Sequence, residues 1–149
     1  MKPSIYILIG VISFMFSCND NDTETSYNKT IDVTDYSLAG SSCTWKNVEK
    51  STLYLIKSSD DFSNYLVCSG NDYPVIDFSK NSLLLVHGTN LSGIQSIERQ
   101  LQQFEKDKYK LRISIVSNAA TVVQSWTVAV LIPKVSDESV FTMEIAFQK

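Results

Sequence analysis

Three apolar segments in the last two thirds of the chain constrain its fold most, because each has the residue pattern of a β-strand. Residues 82–88 form a short, continuous apolar run, which is expected of a central strand covered on both faces. Residues 109–115 alternate between polar and apolar, which indicates a strand with one solvent-exposed face. Residues 122–132 form a long β-branched run that ends before Pro133. The chain is therefore predicted to be rich in β-structure.

Other segments predict further strands and one helix. Residues 51–57 and 140–147 have the β-branched and aromatic content of half-buried strands. Residues 58–70 begin with hydroxyl and carboxylate side chains that suit a helix N-terminus, and apolar residues follow at helical spacing. Residues 94–104 fit either a helix or an amphipathic strand, and we favour the strand. The predicted fold class is α+β, a mainly antiparallel sheet or partly open barrel of six or seven strands with one packed helix.

The N-terminus has the order of a secretory signal. Lys2 precedes an apolar run at residues 5–16, which is too short to span a bilayer comfortably. Ser17 and Cys18 end this run, so residues 1–17 resemble a bacterial lipoprotein signal peptide in which the Cys18 thiol is acylated. Phe16 is bulkier than the small residue that usually occupies this position of a lipoprotein signal. In this respect the segment resembles the less strict lipoprotein signals of the Bacteroidetes. The alternative is a soluble secreted protein in which Cys18 lies near the cleavage point by chance.

Charge is concentrated just after that cysteine. Residues 18–40 contain five acidic side chains and one basic side chain, and large aliphatic residues are scarce there. Such a segment buries too little apolar surface to fold alone, so it is predicted to be a flexible acidic tether, of which at most the end around residues 31–33 adds an edge strand. Residues 41–149 contain eleven basic and eleven acidic side chains and are predicted to form a single globular domain. Because these charges balance, the domain has no net positive charge that would attract nucleic acid.

A further resemblance covers residues 52–134. A turn containing Asp77 and Phe78 leads into the apolar strand that ends at Gly88, and a later hydrophobic strand ends before Pro133 and Lys134. This order resembles the C-terminal domain of the protease-complex subunit PrcB and related bacterial lipoproteins. The chain has Leu-Ser-Gly-Ile at residues 91–94, where that family usually has a Gly-Gly-Tyr-like stretch. The resemblance implies an accessory or binding subunit and brings no catalytic residues.

Few residues suggest a catalytic, redox or metal-binding role. His87 is the single histidine, and nothing near it in sequence supplies a nucleophile or a second metal ligand. Cys43 and Cys68 form either a disulfide or two buried free thiols, and the sequence leaves both alternatives open. No phosphate-binding loop, nucleophile elbow or metal-ligand spacing is present, so we expect no catalytic residues, no metal site and no cofactor.

Two functions of different classes are compatible with this sequence. The first is a binding or accessory protein of the cell envelope, anchored to the outer membrane through Cys18 and exposed at the cell surface, without catalysis and with a protein partner in a larger complex. It predicts an exposed apolar patch or an open groove. The alternative is a small hydrolase-like or ligand-sequestering protein with a pocket near His87, which predicts a carboxylate beside that histidine.

Overall fold

A computed structural model describes residues 28–70 and 72–149. In chain order its elements are β1 (Lys29–Ile31), β2 (Thr34–Asp35), β3 (Cys43–Trp45), β4 (Leu53–Ile56), α1 (Ser59–Ser63), β5 (Leu66–Cys68), β6 (Asn81–Asn90), β7 (Ile94–Glu105), β8 (Lys108–Ser117), β9 (Gln124–Pro133) and β10 (Val140–Gln148). The first sheet has the strand order β1-β7-β8-β10, and the second sheet has the order β2-β9-β6-β4. β3 and β5 form a separate two-stranded ribbon.

These elements form three layers, with the second sheet in the middle. One core lies between the two four-stranded sheets, and its buried side chains come from β6, β7, β8 and β9. The other core lies between the second sheet and a layer made of α1, the ribbon and nearby loops. The middle sheet therefore has both faces covered, which strands with continuous apolar sequence require.

The apolar run at residues 82–88 is explained by this central position. Leu83 and Leu85 belong to the core beneath α1, whereas Leu84 and Val86 belong to the core between the sheets. All four side chains are fully buried. Because successive side chains of a strand point to opposite faces, only a strand covered on both sides needs apolar residues at every position. The prediction of a central strand is confirmed.

The predicted fold class is confirmed at a coarse level and corrected in detail. The described residues are mostly β-structure with one short helix, and none of their sheets closes into a barrel. Ten strands are present in this part of the chain instead of six or seven. Pairing is mainly antiparallel, but β10 lies parallel to β8. The parallel pair arises because the chain leaves the first sheet after β8, forms β9 in the second sheet and then returns.

The helix is shorter than predicted. The Ser58 hydroxyl caps its N-terminus by accepting a hydrogen bond from the Asp61 backbone N–H at 3.1 Å. The helix ends at Ser63, and Leu66–Cys68 forms β5 instead of continuing it. Pairing with β3 determines this outcome, since a strand partner outweighs the helical spacing of the apolar residues.

The ambiguous segment at residues 94–104 is a strand, as favoured. It forms β7, which spans twelve residues and pairs antiparallel with β8.

The predicted tether is wrong over residues 28–40. β1 pairs with β7, and β2 pairs with β9, so this segment joins both large sheets. Tyr36 and Leu38 are buried in the core beneath α1. Burial of these two side chains supplies the apolar surface that the acidic composition seemed to lack. The signal peptide, Cys18 and residues 19–27 lie outside the described residues.

No helix among the described residues is both long enough and apolar enough to cross a membrane.

Candidate functional site

A small apolar pocket lies on the outer layer, between α1, β5 and the loop that follows β5. We call it the aromatic pocket. Its lining residues are Ser59, Phe62, Ser63, Leu66, Cys68, Tyr73, Val75, Ile76 and Phe78. Its volume is about 260 Å³. This is below the range of about 300–1,000 Å³ that is usual for small-molecule sites, so the pocket suits one inserted side chain.

Phe62 is the central aromatic residue of this layer. Its ring lies 5.8 Å from that of Phe78 and 6.1 Å from that of Tyr73, measured between centroids. The interplanar angles of 56° and 63° are tilted or edge-on, as aromatic pairs prefer. On its inner side Phe62 also contacts Tyr36 and Trp45. The wall of the pocket is thus continuous with the buried core.

Hydrogen bonds hold the loop that forms the outer wall. The Asp72 carboxylate accepts hydrogen bonds from the backbone N–H and the hydroxyl of Ser42. The Tyr36 hydroxyl donates to the carbonyl oxygen of Pro74 at 2.7 Å, next to Val75. Burial raises the pKa of Tyr36 to about 12, so this hydroxyl stays protonated at neutral pH. These hydrogen bonds therefore hold the loop at two points, Asp72 and Pro74.

The lining of the aromatic pocket includes one exposed aliphatic residue, and two carboxylates adjoin lining residues in the chain. Val75 lines the pocket and is 90% exposed. Asp72 precedes the lining residue Tyr73, and Asp77 lies between the lining residues Ile76 and Phe78. Hydrogen bonds from the Ser42 hydroxyl and backbone lower the pKa of Asp72, and those from the Ser79 hydroxyl and backbone lower the pKa of Asp77. Both carboxylates are therefore ionised at neutral pH.

The disulfide lies beside this pocket. Cys43 and Cys68 are directly opposite each other in the ribbon and are joined by a disulfide, which is one of the two alternatives that the sequence left open. Cys43 is buried, whereas Cys68 is exposed and lines the pocket. The bridge joins β3 to β5 and so supports the floor of the pocket.

His87 lies elsewhere, on β6 in the middle sheet. Its Nδ1 atom is 3.1 Å from the hydroxyl of Thr127, which is its register partner on β9. Thr127 lines a cleft of about 290 Å³ together with Asp35 and Arg99, but His87 is not among the lining residues. The Asp35 carboxylate forms an ion pair with Arg99. Within the described ranges, no group of three or more His, Cys, Asp or Glu side chains is placed to hold a metal ion.

A larger polar groove of about 600 Å³ runs over the outer face of the first sheet. Its charged side chains include Arg112 and Glu144, which pair with each other at 3.3 Å. Its lining contains no aromatic residue. High-affinity interfaces usually depend on a buried aromatic or apolar anchor, and the aromatic pocket provides such a cavity whereas this groove does not.

Sequence reasoning missed the aromatic pocket. The residues before Val75, Asn-Asp-Tyr-Pro, have the composition of a turn, and Asp77 belongs to the turn predicted above, so neither pattern indicates a pocket. The available signal was the density of large apolar residues after that turn, at Tyr73, Val75, Ile76 and Phe78. A loop that only connects two strands has little reason to carry four of them in six residues.

Comparison with family models, curated proteins and solved structures gave no match to this chain.

Proposed function

We propose that this protein is an exported binding or accessory protein of the bacterial cell envelope, anchored to the outer membrane by a lipid on Cys18. It acts without catalysis, as a subunit that holds a protein partner. The observation that carries this proposal is the aromatic pocket, whose lining includes the highly exposed Val75. The resemblance to the accessory subunit PrcB favours the same role.

The occupant we propose is an apolar side chain on a basic segment of the partner. The pocket volume suits one side chain, and the aromatic walls would bury it. Asp72 and Asp77, whose carboxylates are ionised, adjoin the lining residues Tyr73, Ile76 and Phe78 in the chain, and Lys80 is 3.4 Å from Asp77. A neighbouring lysine or arginine of the partner would be attracted to these carboxylates, most strongly at low salt.

Synthetic peptides test this assignment on the full chain in lipid vesicles. We expect a peptide with both apolar and basic residues to bind more tightly than an apolar acidic one or a basic one without apolar residues. Val75→Lys removes an apolar contact and adds a positive charge that repels the basic residues of the peptide. It should therefore weaken binding at least about tenfold. Val140→Lys is the matched control, because Val140 is equally apolar and 55% exposed on β10. Equal binding of all three peptides would refute the assignment.

The anchor is tested separately by metabolic labelling with a fatty-acid analogue. The native chain should carry the label and fractionate with the envelope, and Cys18→Ser should lose both properties. Label that persists in Cys18→Ser, or an unlabelled native chain, would show that the anchor is absent.

The alternative is a hydrolase-like or ligand-sequestering role for His87. The binding role is favoured because the described partner of the His87 side chain is the Thr127 hydroxyl, while the nearby Asp35 carboxylate is paired with Arg99. A general base needs an orienting group and a reacting group within hydrogen-bond reach.

A further inference from the structure

β10 forms a long, unprotected edge of the first sheet. The other edge strands of the two large sheets, β1, β2 and β4, have three, two and four residues, whereas β10 has nine. Its pairing with β8 runs through all nine residues without a bulge. Residues 140–148 contain no Lys or Pro, and their single charge is Glu144. Natural edge strands are usually short or carry lysine, proline or a bulge, and β10 has none of these devices.

The free edge of β10 presents a row of backbone donors and acceptors. The Val140 N–H donates to the carbonyl oxygen of Asp107 at 2.8 Å, on the β8 side. Because backbone groups alternate in direction along a strand, every second residue from Phe141 to Phe147 turns its N–H and C=O away from β8. No hydrogen bond within the described part of the chain reaches these groups. An added strand satisfies such a row, since its own backbone has the matching spacing.

The side chains of β10 define the kind of strand that fits beside it. Met143 and Ile145 are half-buried against the inter-sheet core. Phe147 shares their face by alternation, yet it is 57% exposed. Glu144 and Ala146 lie on the opposite face, along the polar groove. The edge therefore requires an extended segment with apolar residues on one face and polar or small residues on the other, and β10 itself has this pattern.

We propose that β10 pairs antiparallel with β10 of a second copy of this chain, so that the first sheets of the two copies form one continuous sheet. The two-fold axis of such a dimer satisfies both rows of backbone groups at once. Closed two-fold dimers are also the commonest homo-oligomers. This pairing depends neither on the lipid anchor nor on the aromatic pocket.

Two side chains select the register of the pair. Residues with outward backbone groups must lie opposite one another, which leaves long overlaps centred on Met143, Glu144 or Ile145. The Glu144 register places this carboxylate opposite its own copy, which is unfavourable. The Met143 register leaves Phe147 beyond the end of the second β10. The Ile145 register covers Phe147 with Met143 of the second copy and places Glu144 opposite Ala146, so we assign this register, in which residues 142–148 pair.

The oligomeric state is measured on the full chain carrying Cys18→Ser, so that neither an anchor nor a thiol at residue 18 affects the result. Sedimentation over a dilution series should show a reversible dimer. Ala146→Glu places a carboxylate opposite Glu144 and should raise the dissociation constant about fivefold, since the pair occurs twice. Ala146→Lys is the matched variant at the same exposed position, and it should lower the dissociation constant by pairing with Glu144.

Cysteine cross-linking in the same Cys18→Ser background tests the register. Mild oxidation of Glu144→Cys/Ala146→Cys should yield covalent dimers, because these positions are opposite each other in the Ile145 register. Thr142→Cys/Glu144→Cys is the control, since those two positions are opposite each other only in the Met143 register. The control should yield few covalent dimers.

Three results would overturn the inference. A monomer at every concentration would show that β10 does not pair, and slow hydrogen exchange at Ile145 in that monomer would show that another segment of the chain covers the edge. Equal dissociation constants for Ala146→Glu and Ala146→Lys would place the dimer contact on another face. Equal cross-linking of both cysteine pairs would refute the assigned register. Failure of the proposed function affects none of these measurements, because they use neither Cys18 nor the aromatic pocket.

Discussion

In the inter-sheet core, the backbone at Gly88 lies close against the indole of Trp126. A Cβ atom added at Gly88 would lie 2.3 Å from Cζ2 of that ring. Both residues are in register between β6 and β9, and Trp126 is buried. The absence of a side chain at Gly88 is therefore what allows the indole to pack flat over β6.

Gly88→Ala should accordingly lower the free energy of unfolding by about 1–3 kcal/mol through overpacking. The cost should be smaller in a Trp126→Phe background, because phenylalanine lacks the ring atoms that clash. Urea denaturation of the two single variants and the double variant measures this coupling. Additive effects would show that the indole contact is not the cause.

A second residue-scale prediction concerns Ser82, whose hydroxyl is fully buried and has no hydrogen-bond partner among the described residues. Ser82→Ala removes an uncompensated polar group, so it should leave the free energy of unfolding unchanged or raise it by about 1 kcal/mol. Ser58→Ala is the contrast, because Ser58 caps α1 and its loss should cost about 1 kcal/mol. If Ser82→Ala is as damaging as Ser58→Ala, the Ser82 hydroxyl has a partner after all.

Several residues could be assigned from sequence, and others could not. Ser58 was identifiable as a cap because capping is local chemistry. The pairing of Cys43 with Cys68 depends on the register of β3 against β5, which sequence spacing does not reveal. The need for glycine at position 88 depends on Trp126, which is 38 residues away in the chain.

At the scale of elements, a carboxylate supplies part of the hydrogen bonding that holds the loop after β5. Asp72 joins this loop to Ser42, and these hydrogen bonds lower its pKa in the folded protein. A carboxylate whose pKa is depressed by folding adds stability at pH values above its ordinary pKa of 3.8. That contribution is lost as the pH falls through the lowered folded value.

Asp72→Asn should therefore be less stable than the native protein at neutral pH, and the difference should shrink as the pH falls below 3.8. Denaturant titrations at a series of acidic pH values measure this difference in the free energy of unfolding. Glu138→Gln is the control, because Glu138 is exposed in the β9–β10 loop. A difference that is constant with pH would exclude the carboxylate as its source.

Element types were predictable where the apolar pattern was long, and less so where it was short. The central strand could be inferred from residues 82–88 because burial on both faces leaves a clear pattern. The helix was overestimated since Leu66–Cys68 has apolar residues that suit either state, and pairing with β3 decides between them. The apolar pattern of a short segment fits a helix or a strand, so its tertiary contacts decide which of the two forms.

At the scale of the whole molecule, the largest correction concerns the first described residues. The acidic composition of residues 18–40 predicted a tether, yet β1 and β2 close the edges of two different sheets. An edge strand near Ile31 could be allowed from the sequence, but the partners in β7 and β9 lie about 70 to 100 residues away in the chain, so the pairing had no local signal. The parallel pairing of β10 with β8 has the same origin, because it requires an intervening strand in the other sheet.

The apolar residues of the pocket's loop are visible in the sequence, but the pocket itself could not be located there because it forms between elements. Phe62 was predictable as an apolar residue of α1, but its contacts with Tyr73 and Phe78 depend on how the following loop folds back. A binding role could therefore be proposed from sequence, but its location required the structure.

The most direct test of the account is recovery of the tagged full chain from cross-linked native envelopes. The account predicts a protein partner in comparable amount, lost from Val75→Lys and retained by the control Val140→Lys. Recovery of the chain alone, or of the same partner by all three forms, would contradict a binding role for the aromatic pocket.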